Sequence, residues 1–334
     1  MSNINIKTVK VAPDGDVTLL CGDVKKSDGM KIVVSSAILT LGSPVFKAML
    51  SPRFKEGATL AKASSIEIPF PEDDPPALLT LCKLLHLHDV VDEPRTPAQI
   101  LKLAFLADKY NCCGALRAFY SIWVRKALEA TMFVDQFVQL FVASYLMRLS
   151  GPFKEIGHKL MFTSGKSVSL RVAGESVGIL DDVTVALNRE REGLVLMVAT
   201  VLEKLIKQEL GPRAPPRSTH ACHHACTYLD DRNNAFGKWL FASFAWPIST
   251  ITERPLQQVV HSLDTLSSDW LMSTSFCAGR SGKLCCGKLM ADAQTVVKEL
   301  QAVRDKVRAV RRGPCFECVG AGHVPVLGFC DRGH

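Results

Sequence analysis

Between Asp16 and Gly57 a short apolar hairpin runs straight into a helical stretch interrupted by a Ser-Pro step, and no other segment restricts the fold as tightly. Val17, Leu19 and Cys21 alternate with Asp16, Thr18 and Gly22, while Ile32 and Val34 alternate with Lys31 and Val33. Period-2 patterning on both sides of a Lys-Lys-Ser-Asp-Gly turn reads as a β-hairpin with one buried face. Beyond it Ile38, Leu41, Val45, Phe46, Met49 and Leu50 recur three and four residues apart, the spacing of an amphipathic helix. Ser43-Pro44 breaks that helix, because proline lacks an amide donor and suits a new N-terminus, so two short helices are expected.

Ile66-Glu67-Ile68 forms a third short strand closed by Pro69, followed by the acidic turn Pro71-Glu72-Asp73-Asp74-Pro75-Pro76. Leu78, Leu79, Leu81, Leu84, Leu85 and Leu87 make the next helix apolar nearly all round, which places it in the core. Pro97 opens a further helix through Ile100, Leu101, Leu103, Ala104, Phe105, Leu106 and Ala107, ending near Asn111 and Gly114. A last amphipathic piece runs from Leu116 to Leu128.

The order of these pieces resembles the BTB/POZ domain family, most closely the form common in large families of fungal proteins. The resemblance rests on Asp16-Val17, Ser43-Pro44-Val45-Phe46, Phe54-Lys55-Glu56-Gly57, Pro71-Glu72-Asp73-Asp74-Pro75 and the run from Leu103 to Tyr110, Leu-Ala-Phe-Leu-Ala-Asp-Lys-Tyr. It covers about the first third of the chain. It implies an α+β fold over residues 12–128, a small sheet with a helical core, and a protein-binding role. Asp16 matches the acidic member of the family's charged dimer pocket. Where the family carries a His, often followed by a basic residue, this chain has Ser35 and Ser36, so the basic partner is missing. Phe54 and Glu56 correspond to a hydrophobic-x-Glu element used by cullin-binding members. Protein partners, a second copy of the chain and a cullin are the partners that the resemblance implies.

A chain of 334 residues can bury two or three cores. With 47% apolar and 22% charged residues it has ordinary globular composition. The formal charge of +7 is mild and spread along the chain, without the concentrated basic face that nucleic-acid binding requires. Met1 to Gly15 contains no continuous apolar stretch of the kind that directs export, and the longest largely apolar run, Leu194 to Leu202 with Thr200 inside it, is far short of the ~20 residues that span a bilayer. An intracellular protein, cytoplasmic or nuclear, is expected, and its twelve cysteines should be reduced.

Residues 129–210 read as a helical region, with Phe133, Phe137, Leu140, Phe141, Tyr145 and Leu146 on one stripe. Leu194, Leu196, Val198, Val201, Leu202, Leu205 and Ile206 form another, and Gly211 to Arg217, rich in proline, makes a boundary. In the remaining region, 217–334, Leu289, Ala293, Val296, Leu300, Val303, Val307 and Val310 alternate four and three residues apart, the a/d spacing of a coiled coil. So short a repeat serves a helix laid against its own domain better than a supercoil.

Eight of the twelve cysteines fall after Pro216. Thiolate and imidazole are the donors that zinc prefers, and close pairs on a tight turn reduce the entropy cost of gathering four ligands. Cys315 and Cys318 with Cys330 and His334 make a Cys3His pattern. Cys222 and Cys226 with Cys277 and Cys285 supply a second set, Cys286 being an equal alternative to Cys285. Structural zinc is the cofactor expected. Cys21, Cys82, Cys112 and Cys113 stand outside these clusters and read as small buried residues. The DNA-reading finger spacing fails, since Trp239 and Asp331 stand where its first histidine would fall.

No enzyme is expected. Gly165-Lys166-Ser167 has Leu160 in place of the glycine that a phosphate loop needs, and neither Gly-x-Ser-x-Gly nor His-Glu-x-x-His occurs. The leading reading is an interaction adaptor or scaffold whose first domain pairs with itself or a partner, Ile4, Ile6 and Val9 offering an added edge strand. A cullin-dependent ubiquitin-ligase substrate receptor is the alternative, ahead of a transcription-associated or enzymatic zinc protein.

Overall fold

The computed structural model describes residues 6–23, 29–90, 95–131, 133–172, 175–176, 178–210, 228–242, 248–272, 287–310 and 313–321. They fall into two compact units, one of residues 1–156 with 170–177, the other of residues 157–169 with 178–334.

The first unit opens with β1 (Lys7–Lys10), β2 (Val17–Cys21) and β3 (Met30–Val34), then α1 (Ser36–Gly42), α2 (Pro44–Met49), α3 (Lys55–Leu60) and β4 (Ile66–Phe70). The sheet order is β1-β3-β2-β4, with β2 and β3 antiparallel and the outer pairs parallel. Val17, Leu19 and Cys21 on β2 and Met30, Ile32 and Val34 on β3 face the core, as the alternation requires. Of the N-terminal residues that the sequence offers as an edge strand, Val9 lies in β1, which pairs with β3 opposite Ile32 and forms one edge of the sheet; Ile6 precedes the strand and Ile4 lies outside the described residues.

Four helices complete the apolar layer: α4 (Pro75–Leu85), α5 (Pro97–Lys109), α6 (Cys113–Ala130) and α7 (Val134–Leu146). Each of the first two starts on a local signal. Asp74 caps α4 by accepting from the Ala77 amide at 3.1 Å, and Thr96 and Gln99 form a reciprocal capping box on α5, each with proline at the first turn. The unit then continues into α8 (Ser150–Thr163), along which the boundary falls at Ile156, and takes in the short ladder of β5 (Arg171–Val172) and β6 (Glu175–Ser176).

Three of the sequence motifs meet in one joint. Ser43 caps α2 through its Oγ, which accepts from the Phe46 amide at 3.1 Å and donates to the Tyr110 carbonyl at 2.6 Å. The Phe46 ring stacks on Tyr110 with centroids 4.6 Å apart, and Phe70 meets both edge-on. Asp73, in the acidic turn, is buried; Lys109 Nζ donates to its Oδ1 at 2.6 Å and the Tyr110 hydroxyl donates to Oδ2. Burial, reinforced by that bond, pushes the Tyr110 hydroxyl far above its ordinary pKa, so the phenol remains a donor.

Five expectations about side-chain placement change. Leu41, counted with the buried stripe, is 89% exposed, and Val45 is also exposed, whereas Leu39, Phe46 and Leu50 are buried. The break at Ser43 gives α1 and α2 separate rotational phases, so periodicity counted across it selects the wrong face. Phe105 on α5, Phe133 ahead of α7 and Leu196 are likewise exposed rather than core.

In the second unit the long α9 (Asp181–Leu210) packs with α10 (Tyr228–Ala242), α11 (Leu256–Met272) and α12 (Gly287–Ala309), and α13 (Phe316–Gly320) closes the described chain. Leu194, Val198, Leu202 and Leu205 of α9 share a core with Phe236, Leu263, Leu300 and Val307. The heptad seam of α12 is therefore spent on its own unit, Val296, Leu300, Val303 and Val307 all lying in that core.

Tyr110→Phe removes one charge-assisted bond to a buried carboxylate while keeping the stacked ring. A loss of about 2 kcal/mol from the first unit is expected, read as a lower midpoint in urea denaturation followed by Trp123 fluorescence. An unchanged midpoint would show that the joint does not need its polar half.

Candidate functional site

Asp16 precedes β2 and reaches across to the start of α1, where its Oδ1 accepts from the Ser36 amide at 2.7 Å and its Oδ2 from the Ser36 hydroxyl at 2.6 Å. The helix makes no side-chain cap of its own at Ser35. Asp16 therefore acts as a long-range cap, placing a carboxylate against the positive end of a helix. Burial raises the Asp16 pKa, but the bonds from the Ser36 side chain and backbone outweigh it and leave the carboxyl below 3.8. Ser36 thus already satisfies the acid with two donors.

His86, which the sequence reading passed over, completes this corner. Its Nε2 lies 3.0 Å from the Ser35 amide and its Nδ1 2.8 Å from the Cys82 carbonyl. Beside it Gly42 packs so closely that an added Cβ would stand 2.7 Å from the Leu85 side chain, so α1 and the end of α4 lie side by side. The contact joins residues 51 positions apart, and no spacing rule reaches that far. Leu87 follows with φ of 59° and is 87% exposed. A non-glycine residue in the left-handed region costs ~1–3 kcal/mol, and here no burial of the leucine offsets it.

Phe54 and Glu56 occupy the first turn of α3, with Phe54 at its N-cap and 51% exposed and Glu56 half-buried. Gly57 ends the motif for a steric reason, since a Cβ there would come within 2.1 Å of the Ser51 carbonyl oxygen. The glycine lets α3 fold back on the end of α2, and this leaves the phenylalanine on the outside.

Of the expected metal ligands, Cys315 and Cys318 are described: Cys315 is the N-cap of α13, half-buried, with its Sγ 3.3 Å from Glu317 Oε2, and Cys318 is buried one turn on. Cys222, Cys226, Cys277, Cys285, Cys330 and His334 lie outside the described residues. In the first unit Cys21, Cys82 and Cys112 are buried and Cys113 partly so. Burial holds the Cys21 and Cys112 thiols up at about 12 and Cys82 higher still, so these thiols stay protonated and pack as apolar groups.

The basic residues of α12 are partly neutralised within the unit. Asp264 of α11 accepts from Arg304 at 3.3 Å and from Arg308, and Glu299 pairs with Lys204 of α9 at 2.8 Å. Among the described residues no helix is long and apolar enough to cross a membrane.

With this geometry in place, comparison with known families finds that residues 14–119 match the family model described as BTB/POZ domain. The matched segment holds the small mixed sheet with its helical core, and a mainly helical region follows it. The segment is a BTB/POZ domain, a protein–protein interaction module. No curated protein and no solved structure matches the chain.

Asp16→Ala leaves the first amide of α1 without its partner and is expected to cost about 1–2 kcal/mol in urea denaturation, with Asp16→Asn losing less because its amide oxygen still accepts. A carboxyl held below its unfolded pKa stabilises the fold above 3.8, and that contribution disappears as pH falls through the lower, folded value. Equal stability of Asp16→Ala and the parent at pH 7 would remove the capping role.

Proposed function

We propose that the chain is an intracellular protein-interaction adaptor or scaffold that acts through its BTB/POZ domain, working as a dimer or with a partner. The observation that carries the reading is the match of residues 14–119 to an interaction module whose motifs interlock around Asp73 and Tyr110. The surface of the domain braced in this way keeps Leu41, Leu87 and Phe54 in water. Apolar side chains at such exposure cost little in a monomer but gain free energy when a partner covers them. Light scattering of the full chain is expected to give twice the monomer mass, and Leu41→Asp with Leu87→Asp to return it to one. A parent protein that is monomeric and unaffected by these changes in partner capture would refute the reading.

A second reading, a cullin-dependent substrate receptor, draws support from the exposure of Phe54. In a purely structural turn this ring would be buried; here it stands outside beside Glu56, where a partner helix could take both. Purified cullin N-terminal domain is expected to bind the full chain, with Phe54→Ala and Glu56→Lys each weakening binding at least ~10-fold, as loss of a central aromatic or charged anchor does. Binding that is unchanged in both variants would leave the scaffold reading alone.

We further propose structural zinc in the region 217–334, the ligands being Cys315, Cys318, Cys330 and His334 in one set and Cys222, Cys226, Cys277 and Cys285 in another. Its support is donor chemistry and position: Cys315 at the N-cap and Cys318 three residues on share one side of the first turn of α13. Elemental analysis of the purified chain should find about two zinc ions, and chelation should lower helicity. Metal-free protein with unchanged circular dichroism would dismiss the metal.

A further inference from the structure

At seven residues α1 is too short to persist alone, and its two leading amides are held by groups distant in sequence, Ser36 by Asp16 and Ser35 by His86. The second tie depends on proton placement. The Cys82 carbonyl, 2.8 Å from Nδ1, can only accept, so Nδ1 carries the hydrogen. The Ser35 amide, 3.0 Å from Nε2, can only donate, so Nε2 must be bare. Both ring nitrogens are thus committed in the neutral form, and a second proton would set N–H against N–H.

We propose that His86 is a pH-operated latch: its neutral imidazole ties the start of α1 to the end of α4, and protonation at mildly acidic pH releases that tie. The groups around it leave the latch sensitive. From its own end of α4 come Lys83 and the protonated Cys82 thiol, and just beyond it His88, whose Nε2 is bonded to the Val11 carbonyl at 3.0 Å. Asp89 follows in the same segment. From the strand side the facing acid is Asp16, and it is already occupied by both donors of Ser36. Burial lowers the His86 pKa below 6.5, outweighing the upward push of its bond to the Cys82 carbonyl, and the neighbouring His88 adds a smaller downward one.

The sign follows. A histidine whose folded pKa is depressed binds its proton more readily when released, so the latch is closed above 6.5 and weakens as pH falls toward the folded value. Asp16 stays ionised through that window and continues to hold Ser36, so α1 loosens at its N-cap, Ser35, without leaving the domain. The helix that loosens is the one that presents Leu41.

The test uses the full chain. Amide hydrogen exchange, corrected for the intrinsic pH dependence of the chemistry, is measured over residues 35–42 from pH 7.5 to 5.5, and the His86 ring is titrated by nuclear magnetic resonance. The expected result is an Nδ1-protonated ring that titrates below 6.5, with protection at Ser35 falling up to about tenfold per pH unit on acidification. In His86→Gln, whose side-chain oxygen can still accept from Ser35, protection is expected to be flat across the same range. Constant protection in the parent, a ring titrating at or above 6.5, or an undiminished pH response in His86→Gln would each overturn the latch. Should the variant fail to fold, the parent's titration and exchange decide the matter by themselves.

Discussion

A carboxylate taken out of water must be met by donors or the fold loses several kcal/mol, and the first unit depends on how Asp73 is met. Both partners, Lys109 and Tyr110, come from the last turn of α5, 36 and 37 residues further on. The acidic turn between β4 and α4 can therefore adopt its native form only once the end of α5 has docked. Ser43 adds α2 to the same point by bonding the Tyr110 carbonyl. The aromatic contacts of Phe46, Tyr110 and Phe70 tolerate small rotations, whereas the directional bonds to Asp73 and Ser43 do not. Apolar packing pulls the segments together, and the polar bonds set the angle at which they meet.

The same division of labour explains why α1 is a weaker part of the platform. Its buried anchor is the single residue Leu39, and its N-terminus has no local cap. What holds it is a pair of titratable side chains supplied from elsewhere in the unit, and both are sensitive to charge in a way that the Asp73 joint, shielded by burial, is not. An element of low local stability is the kind that responds to conditions while the remainder stays fixed.

Much of this fold was legible in sequence wherever the cause is local. Alternation gave β2 and β3, the Ser43-Pro44 step separated α1 from α2, and Pro97 marked the start of α5. Exposure of Leu41 and Phe105 was not legible, because rotational phase is reset at each break and a short helix offers too few turns to define it. The corner at α1 was half legible: Asp16 stood out by its motif, but its partner Ser36 lies 20 residues on and His86 lies 51 from Ser35. Such pairs are chosen by the sheet topology, which spacing does not encode. For the cysteine clusters, spacing suggests which ligands could share an ion, but pairing is again a matter of tertiary approach.

The second unit solves a related problem with a cation. Residues 164–168 run without regular structure, so their backbone groups need partners. The long helix α9 provides them. Asn188 bonds both the amide and the carbonyl of Val168, as a neighbouring strand would, at 2.6 and 3.0 Å. One turn on, the buried Arg191 guanidinium donates to the carbonyls of Ser164, Gly165, Thr252 and Arg254, and its desolvation lowers its pKa. A lysine could not repeat this, since one ammonium with three donors cannot address carbonyls spread around a planar fork. A charge placed in this way serves the backbone rather than a ligand. Taken with the Asp264 pairs on α11, it means that Arg191, Arg304 and Arg308 are engaged by the unit's own architecture.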